Sequence, residues 1–569
     1  MPKFYSETKY VKTADEYLYM LNLGYVNLVA PYEEGKKAFF EMQKKLGTNP
    51  IYDVKYANLL SIGTYCESDN AGAIRIIAPY VSVGYAPAQA IMAYFYITGT
   101  GVAQDEKKAF DLYFAAHKQD YYGATFNVGV CYETGRGVEQ NYEKACEYYK
   151  LAAENGYPNA QRAYAKCLEF GRGCERDAVA AFKWYKKSSD QGYILGQFNT
   201  AECYYLGIGT TKDYDKAYEL FSRVVQSRAS EGVLGSAYHK LGYMAEFGLG
   251  SVEQSKEKAF EYYYKGAQYK NADAQFAVGF FYSNGYGVNM DKQKAFEYYT
   301  ASAKQGNVKA KNNLGFMYEK GIATAQNYTL AAKYYQEAAD GGDIQAMNNI
   351  GYMYEMGFGV ARNTQKAVVY YQKAADNGNG LGAFNLGYLY RYGEGGLTQD
   401  YKKAVTYFQR AVDLGEKQAM FQMGYCYHYG TGVTKNMQKA VEWYNKAAEA
   451  GSHQGMKFLG DCYYDGTGVT RNYNKAYEWY NKASGLGNKY ATYNMGLLYE
   501  TGKGVVKSYP KAYTYYSKAL SMGYSEAQRK ISEFNSHKCP HCGAYFSGEY
   551  KNGFFGTKYV CSSCGKKIR

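Results

Sequence analysis

The sequence predicts an all-α protein: a right-handed α-solenoid of helix–turn–helix repeats, with a small β module at the C-terminus. Three observations carry this. A pattern of small and aromatic residues recurs about every 36 positions through most of the 569 residues. Glycine is frequent at 63 and proline scarce at 8, while tyrosine reaches 71. That balance suits many short helices with glycine C-caps better than it suits disorder. The last stretch, His537 to Arg569, changes character and carries two close cysteine pairs.

The unit is clearest in QAMNNIGYMYEMGFGVARNTQKAVVYYQKAADNGN, from Gln345 to Asn379. Aligning the chain on the small residue before its aromatic neighbours gives rungs at Ala93, Gly129, Ala165, Ala201, Gly242, Gly279, Gly315, Gly351, Gly387, Gly424, Gly460 and Gly496. So steady a period marks one supersecondary unit repeated. Helix A carries Ala346, Ile350, Gly351 and Tyr354 at helical spacing, and its small residues permit close helix approach. Gly357 suits the left-handed C-cap, and Val360 is expected to return to the core. Helix B begins at an Asn or Asp: Asn141, Asp213, Asn363, Asp400, Asn436 and Asn472. Such caps contribute about 1 kcal/mol each. Helix B presents Ala367, Tyr370, Tyr371, Ala374 and Ala375, and ends at Gly378. One pair cannot bury its apolar face; stacked pairs can, leaving one concave face. The unit between Ala201 and Gly242 has about five extra residues, expected in the turn after helix B. The Gly-x-Gly-Val loops follow helices and lack a third glycine, so they are not dinucleotide sites.

These units resemble Sel-one-like repeats (SLR), relatives of the tetratricopeptide repeat. The resemblance runs from about Ala88 to Ala527 and rests on A-x-x-x-L-G-x-x-Y-x-x-G-x-G-V followed by K-A, an aromatic pair, A-A and G. Ala323, Gly396, Cys174 and Thr210 depart from it in the loops. The division predicted is residues 1–87 as an N-terminal helical cap with one degenerate unit around Gly63, 88–535 as the solenoid of about twelve repeats, and 536–569 as a zinc ribbon.

The ribbon is read from Cys539-x2-Cys542-Gly and Cys561-x2-Cys564-Gly, 18 residues apart. Two such turns supply four thiolates, a closed tetrahedral zinc site and therefore a structural one. One Zn2+ per chain is expected, with a β-hairpin between the pairs whose Tyr545, Phe546, Phe555 and Tyr559 cover the site.

No H-E-x-x-H, G-x-S-x-G or G-x-x-x-x-G-K occurs, and the six histidines form no constellation. The reading is a non-catalytic scaffold; the family resemblance keeps a hydrolase as an alternative. In the related tetratricopeptide fold helix A lines the concave groove. The partner-binding candidates are accordingly Tyr243, Phe280, Phe316, Tyr352, Tyr388 and Tyr425, one after each rung, with Asn312 and Asn348 four residues before Phe316 and Tyr352 on the same face. Such a ladder fits an extended peptide or protein, the aromatics as anchors and the asparagines holding backbone amides. Packing of the same aromatics between helices is the competing account. Lys538, Lys551, Lys558, Lys566, Lys567 and Arg569 make nucleic acid an alternative partner of the ribbon, whereas the net charge of +13 is spread along the chain. The first thirty residues show no secretory pattern and no run of eighteen apolar residues exists, so no membrane partner and a cytoplasmic location are expected. The eight cysteines from Cys66 to Cys462 are then reduced core residues, with Cys167–Cys174 the one bridge considered.

Overall fold

The computed structural model describes residues 32–536 continuously, together with residues 12–15, Leu18 and four two-residue strands. The chain divides into two units, one ending at Gln305 and one beginning at Gly306, and each is described by itself.

Among the described residues there are 28 helices. Three come first: Tyr32–Lys44, Pro50–Ile62 and Asn70–Ser82. The last two flank Gly63, which caps Pro50–Ile62 at φ +70°, so the degenerate unit is a helix pair. Twelve regular pairs follow, from Ala86–Thr98 with Glu106–His117 to Lys489–Thr501 with Tyr509–Ser521, and Glu526–Ser536 ends the series. No described helix is long and apolar enough to cross a membrane.

The partners in a pair run antiparallel. Near the end of one helix B, Ser188 Oγ donates to the Pro158 carbonyl at the start of its helix A, at 2.8 Å. Each rung marks where helix B comes closest. A Cβ on Gly351 would lie 2.9 Å from the Tyr371 ring, so this glycine is there because a tyrosine lies flat against it. Ala367, Tyr371, Ala374 and Ala375 are all fully buried, as their helical spacing requires. All six predicted caps of helix B form; Asn363 Oδ1, for example, accepts from the Lys366 amide at 2.9 Å. Gly357 ends helix A at φ +76°, and half-buried Val360 packs on the core formed by Ala331, Tyr335 and Met353.

Several expectations are corrected. The extra residues before Gly242 do not sit in a loop: they add a turn to helix A, which runs 17 residues as Glu231–Phe247 instead of the usual 13. Every residue of Glu231–Gly242 is compatible with a helix, so a longer helix costs less than a longer ordered loop. The chain is also not helical throughout its N-terminal part, because Lys9–Tyr10 pairs in parallel with Leu28–Val29. Cys167 and Cys174 are free thiols, and both pack in one cluster with Cys146 from the preceding helix B. Cys539, Cys542, Cys561 and Cys564 lie outside the described residues, as do residues 543–558 of the segment expected to form the hairpin between the pairs, Tyr545, Phe546 and Phe555 among them. The pairing that is described, Tyr559–Val560 antiparallel to Lys567–Ile568, brackets the second cysteine pair in sequence.

Candidate functional site

Several repeats spend three tyrosines on two fixed arrangements. The first aromatic of helix B stacks on the tyrosine three residues after the rung: Tyr132–Tyr148, Tyr354–Tyr370, Tyr390–Tyr407 and Tyr499–Tyr515 lie 5.3–5.9 Å apart at 5–9°. The lysine of the K-A pair sits over that stack, Lys366 Nζ lying 5.1 Å from the Tyr354 ring. The second aromatic is the buried one, and in six repeats its hydroxyl donates to a glutamate four residues after the rung. Tyr185 reaches Glu169 at 2.7 Å, Tyr263 reaches Glu246 at 2.8 Å, Tyr335 reaches Glu319 at 2.8 Å and Tyr371 reaches Glu355 at 2.6 Å. Burial first, and then the facing carboxylate, push these phenols far above the ordinary tyrosine range. This lock was missed in the sequence, although the glutamate at that offset is its visible signal. Where helix B has Phe221 or Phe408 instead, the offset holds Tyr205 or Arg391.

These contacts leave one side of helix A open. Tyr243 and Phe280 in the first unit are 40% and 38% exposed; Phe316 and Tyr352 in the second are 46% and 40% exposed. Tyr388 and Tyr425 are half-buried. Tyr388 packs edge-on against Phe384 at 4.9 Å and Phe408 at 5.7 Å, and accepts from Gln422, so it belongs as much to the core as to the face. Tyr425 lies 4.4 Å from Tyr429 and beneath the Arg391 guanidinium, 4.3 Å away.

The two asparagines do not wait for a partner's backbone. Asn312 Oδ1 accepts from Asn349 and Asn348 Oδ1 from Asn385, each at 3.0 Å across adjacent repeats, and Asn348 is buried. They join neighbouring A helices. In the second unit that face is recessed into a cleft of about 460 Å³, walled by four successive A helices through Glu355, Asn385, Tyr388, Tyr392, Gln422 and Gln454, with Glu394 at its rim. The first unit differs. Lys166 and Glu202 hold the position after the rung there, and burial pushes the lysine down and the carboxyl up. No group of His, Cys, Asp or Glu among the described residues is arranged to hold a metal ion.

Twelve segments match the Sel1 repeat model: residues 86–121, 123–157, 158–193, 194–223, 235–268, 272–307, 308–343, 344–379, 380–416, 417–452, 453–488 and 489–524. The chain belongs to the Sel1 repeat family. Among solved structures, a protective antigen present in uropathogenic Escherichia coli, with an SLR fold, is 30% identical over 84% of this chain and 99% of its own, with a TM-score of 0.62. A Sel1 repeat protein from Oxalobacter formigenes is 29% identical over 43% of this chain and 96% of its own, with a TM-score of 0.40. Helicobacter pylori cysteine rich protein B is 32% identical over 23% and 95%, with a TM-score of 0.20. No curated protein sequence matches the chain significantly. Sel1 repeat proteins commonly act as scaffolds that bind protein partners and are generally non-catalytic, and the all-α solenoid seen here is theirs. The Sel1 matches begin at residue 86, so the helix pair around Gly63 precedes them.

Proposed function

We propose that this Sel1 repeat protein is a non-catalytic, cytoplasmic scaffold that holds an extended segment of a partner protein on the helix A face of its second unit. The supporting observation is the recessed cleft lined by Tyr392, with Tyr352 exposed on the helix that contributes Glu355 to it, since exposed aromatics at a recess act as interface anchors. Tyr392 is 57% exposed. The cleft's lining carries Glu355 and Glu394 and no lysine or arginine, so a segment with a basic residue complements it. The Gln418 and Gln454 side-chain amides on the wall suit the backbone of an extended chain.

The same proposal gives the C-terminal residues a second contact around one structural Zn2+. Cys539, Cys542, Cys561 and Cys564 would hold it. The reading is supported by the antiparallel register Tyr559 with Ile568 and Val560 with Lys567, which closes a six-residue connection containing the second Cys-x2-Cys-Gly.

The test is selection from a displayed peptide library against the purified full chain, followed by affinity measurement of the selected peptides. Peptides containing Lys or Arg are expected. Tyr352→Ala and Tyr392→Ala are expected to weaken them tenfold or more, as is usual for anchor truncation, and Val369→Ala on helix B to leave them unchanged. Equal affinity for all three variants would sink the assignment of the face. For the metal, elemental analysis of protein prepared without chelator is expected to give one zinc per chain; well under half would remove that part.

A further inference from the structure

The cleft of the second unit departs from the rest of the array in the loop that follows its helix Gly380–Tyr392. In the other Sel1 repeats the residue between the two loop glycine positions is apolar, uncharged or basic, as with Phe358, Thr100, Arg172 and Lys503; here it is Glu394. The loop is also longer. Gly393, Gly395 and Gly396 all take left-handed φ, from +71° to +79°. Leu397, one position later than the usual valine, packs on the core. Glu394 is exposed at the cleft, and no described side chain bonds its carboxylate. Two residues before it stands Tyr392, the outer end of a row on one helix. Phe384 and Tyr388 lie 4.9 Å apart, and Tyr388 and Tyr392 6.2 Å apart at 20°. One recess therefore holds an aromatic ring with an open face and a carboxylate without a partner.

We propose that the residue this cleft selects in its partner is arginine, its guanidinium plane against the Tyr392 ring and its N–H edge on Glu394. The proposal rests on the reading that the cleft holds an extended partner segment. The chemistry separates the two basic side chains. A guanidinium is planar and weakly hydrated, and its paired N–H groups match both oxygens of a carboxylate; an ammonium is a compact, strongly hydrated point charge. An aromatic face with a carboxylate beside it therefore favours arginine over lysine. The charge count fits one such group. Glu355 and Glu394 supply two negative charges, and Arg391, 5.6 Å from the Tyr392 ring, offsets one. Glu355 accepts from Tyr371, which leaves Glu394 as the acid that can turn to a ligand.

The protein holds one of its own arginines in this manner. The Arg391 guanidinium lies 4.3 Å from the centre of the Tyr425 ring and donates to Gln422 Oε1 at 2.8 Å. Gln422 in turn donates to Tyr388, so Arg391 is spent within the fold and does not line the cleft. A ring beneath and an acceptor at the edge are the two elements that Tyr392 and Glu394 offer, with a charged acceptor in place of an amide.

The test uses the purified full chain and three pools of short synthetic peptides. The pools are identical except for the central residue, which is arginine, lysine or citrulline, with random residues on both sides. Retention of each pool on the immobilised chain is read by mass spectrometry. The arginine pool is expected to be retained about tenfold or more above the lysine pool, and the citrulline pool, which keeps the shape and loses the charge, to be retained least. Glu394→Gln is expected to remove most of the arginine excess. Tyr392→Leu is expected to do the same, since it keeps an apolar side chain and loses the ring face. Both positions are exposed, so neither change opens the core. Tyr352→Ala reads the underlying face. Equal retention of the arginine and lysine pools, both weakened by Tyr352→Ala, overturns arginine selection and leaves the peptide-binding face standing. No retention of any pool, or retention that neither Tyr352→Ala nor Tyr392→Leu changes, overturns the face and arginine selection with it. An arginine excess that survives Glu394→Gln unchanged also overturns the proposal.

Discussion

Truncating Tyr371 and Tyr352 separates the structural tyrosines from the presented ones. Tyr371 is fully buried against Gly351 and its hydroxyl donates to Glu355 at 2.6 Å. Tyr371→Ala therefore opens an enclosed cavity and is expected to cost about 4 kcal/mol, within the usual range for buried aromatics. Tyr371→Phe keeps the ring and loses one hydrogen bond to a carboxylate. The loss is about 1.5 kcal/mol, at the low end for charged acceptors, because Glu355 is itself only half-buried. Tyr352 is 40% exposed, so its loss leaves an open notch and only a transfer term. Roughly 100 Å² at about 25 cal/mol per Å² sets an upper bound near 2.5 kcal/mol. A less extended unfolded chain and the better helix preference of alanine bring it to about 1.5 kcal/mol. Long repeat arrays do not unfold in one step, so the readout is amide hydrogen exchange over residues 344–376 alongside guanidinium denaturation followed by circular dichroism. Comparable losses in Tyr371→Ala and Tyr352→Ala would refute the division into locked and open faces. Tyr388→Ala is expected to fall nearer Tyr371, given its packing on Phe384 and Phe408.

Three further outcomes are expected. Ala323 holds φ +57°, a left-handed conformation that costs a side chain; Ala323→Gly should stabilise by about 0.5–1 kcal/mol, read as a higher denaturation midpoint. Burial lowers the His428 imidazole below its usual range, so the unfolded state binds the proton more readily. Its contribution to stability is present above about pH 6.5 and is lost as pH falls below that; His428→Gln should reduce the drop in urea midpoint between pH 7.5 and 5.5. The locked tyrosines are raised, which reverses the sign. Their stabilisation is complete below about pH 10 and declines above it, so ultraviolet titration should show a class of phenols that ionises only together with loss of helix, and independent ionisation of all tyrosines would contradict the lock.

The local grammar of the repeat was legible because it is written at fixed short offsets. The Asn363 cap, the Gly357 stop and the rung at Gly351 each depend on a backbone need that few residues meet. What escaped depends on which neighbour a side chain meets. The aromatic pair Tyr370–Tyr371 reads as two equal core residues, yet one stacks outside on Tyr354 and the other is sealed in. Asn312 and Asn348 fall on the predicted face, but partners 37 positions later, Asn349 and Asn385, claim them. The extra turn of Glu231–Phe247 was hidden because its sequence is as compatible with a loop as with a helix. Part of the predicted face proved open and part proved packed, since a ladder at one offset passes through neighbours that differ from repeat to repeat.

The glycine that begins each loop's second half has a consequence for heredity. A Cβ on Gly359 would fall 2.0 Å from the Tyr328 carbonyl at the start of the preceding helix B, whereas the rung glycine, the sealed tyrosine and its glutamate all lie within one 36-residue unit. A stretch of coding DNA that duplicates or drops one whole unit therefore carries the lock with it, and the loop glycine is where the new neighbour is met most closely. Array length can drift by whole units over generations while each copy stays foldable, and the surface on offer lengthens or shortens in equal steps.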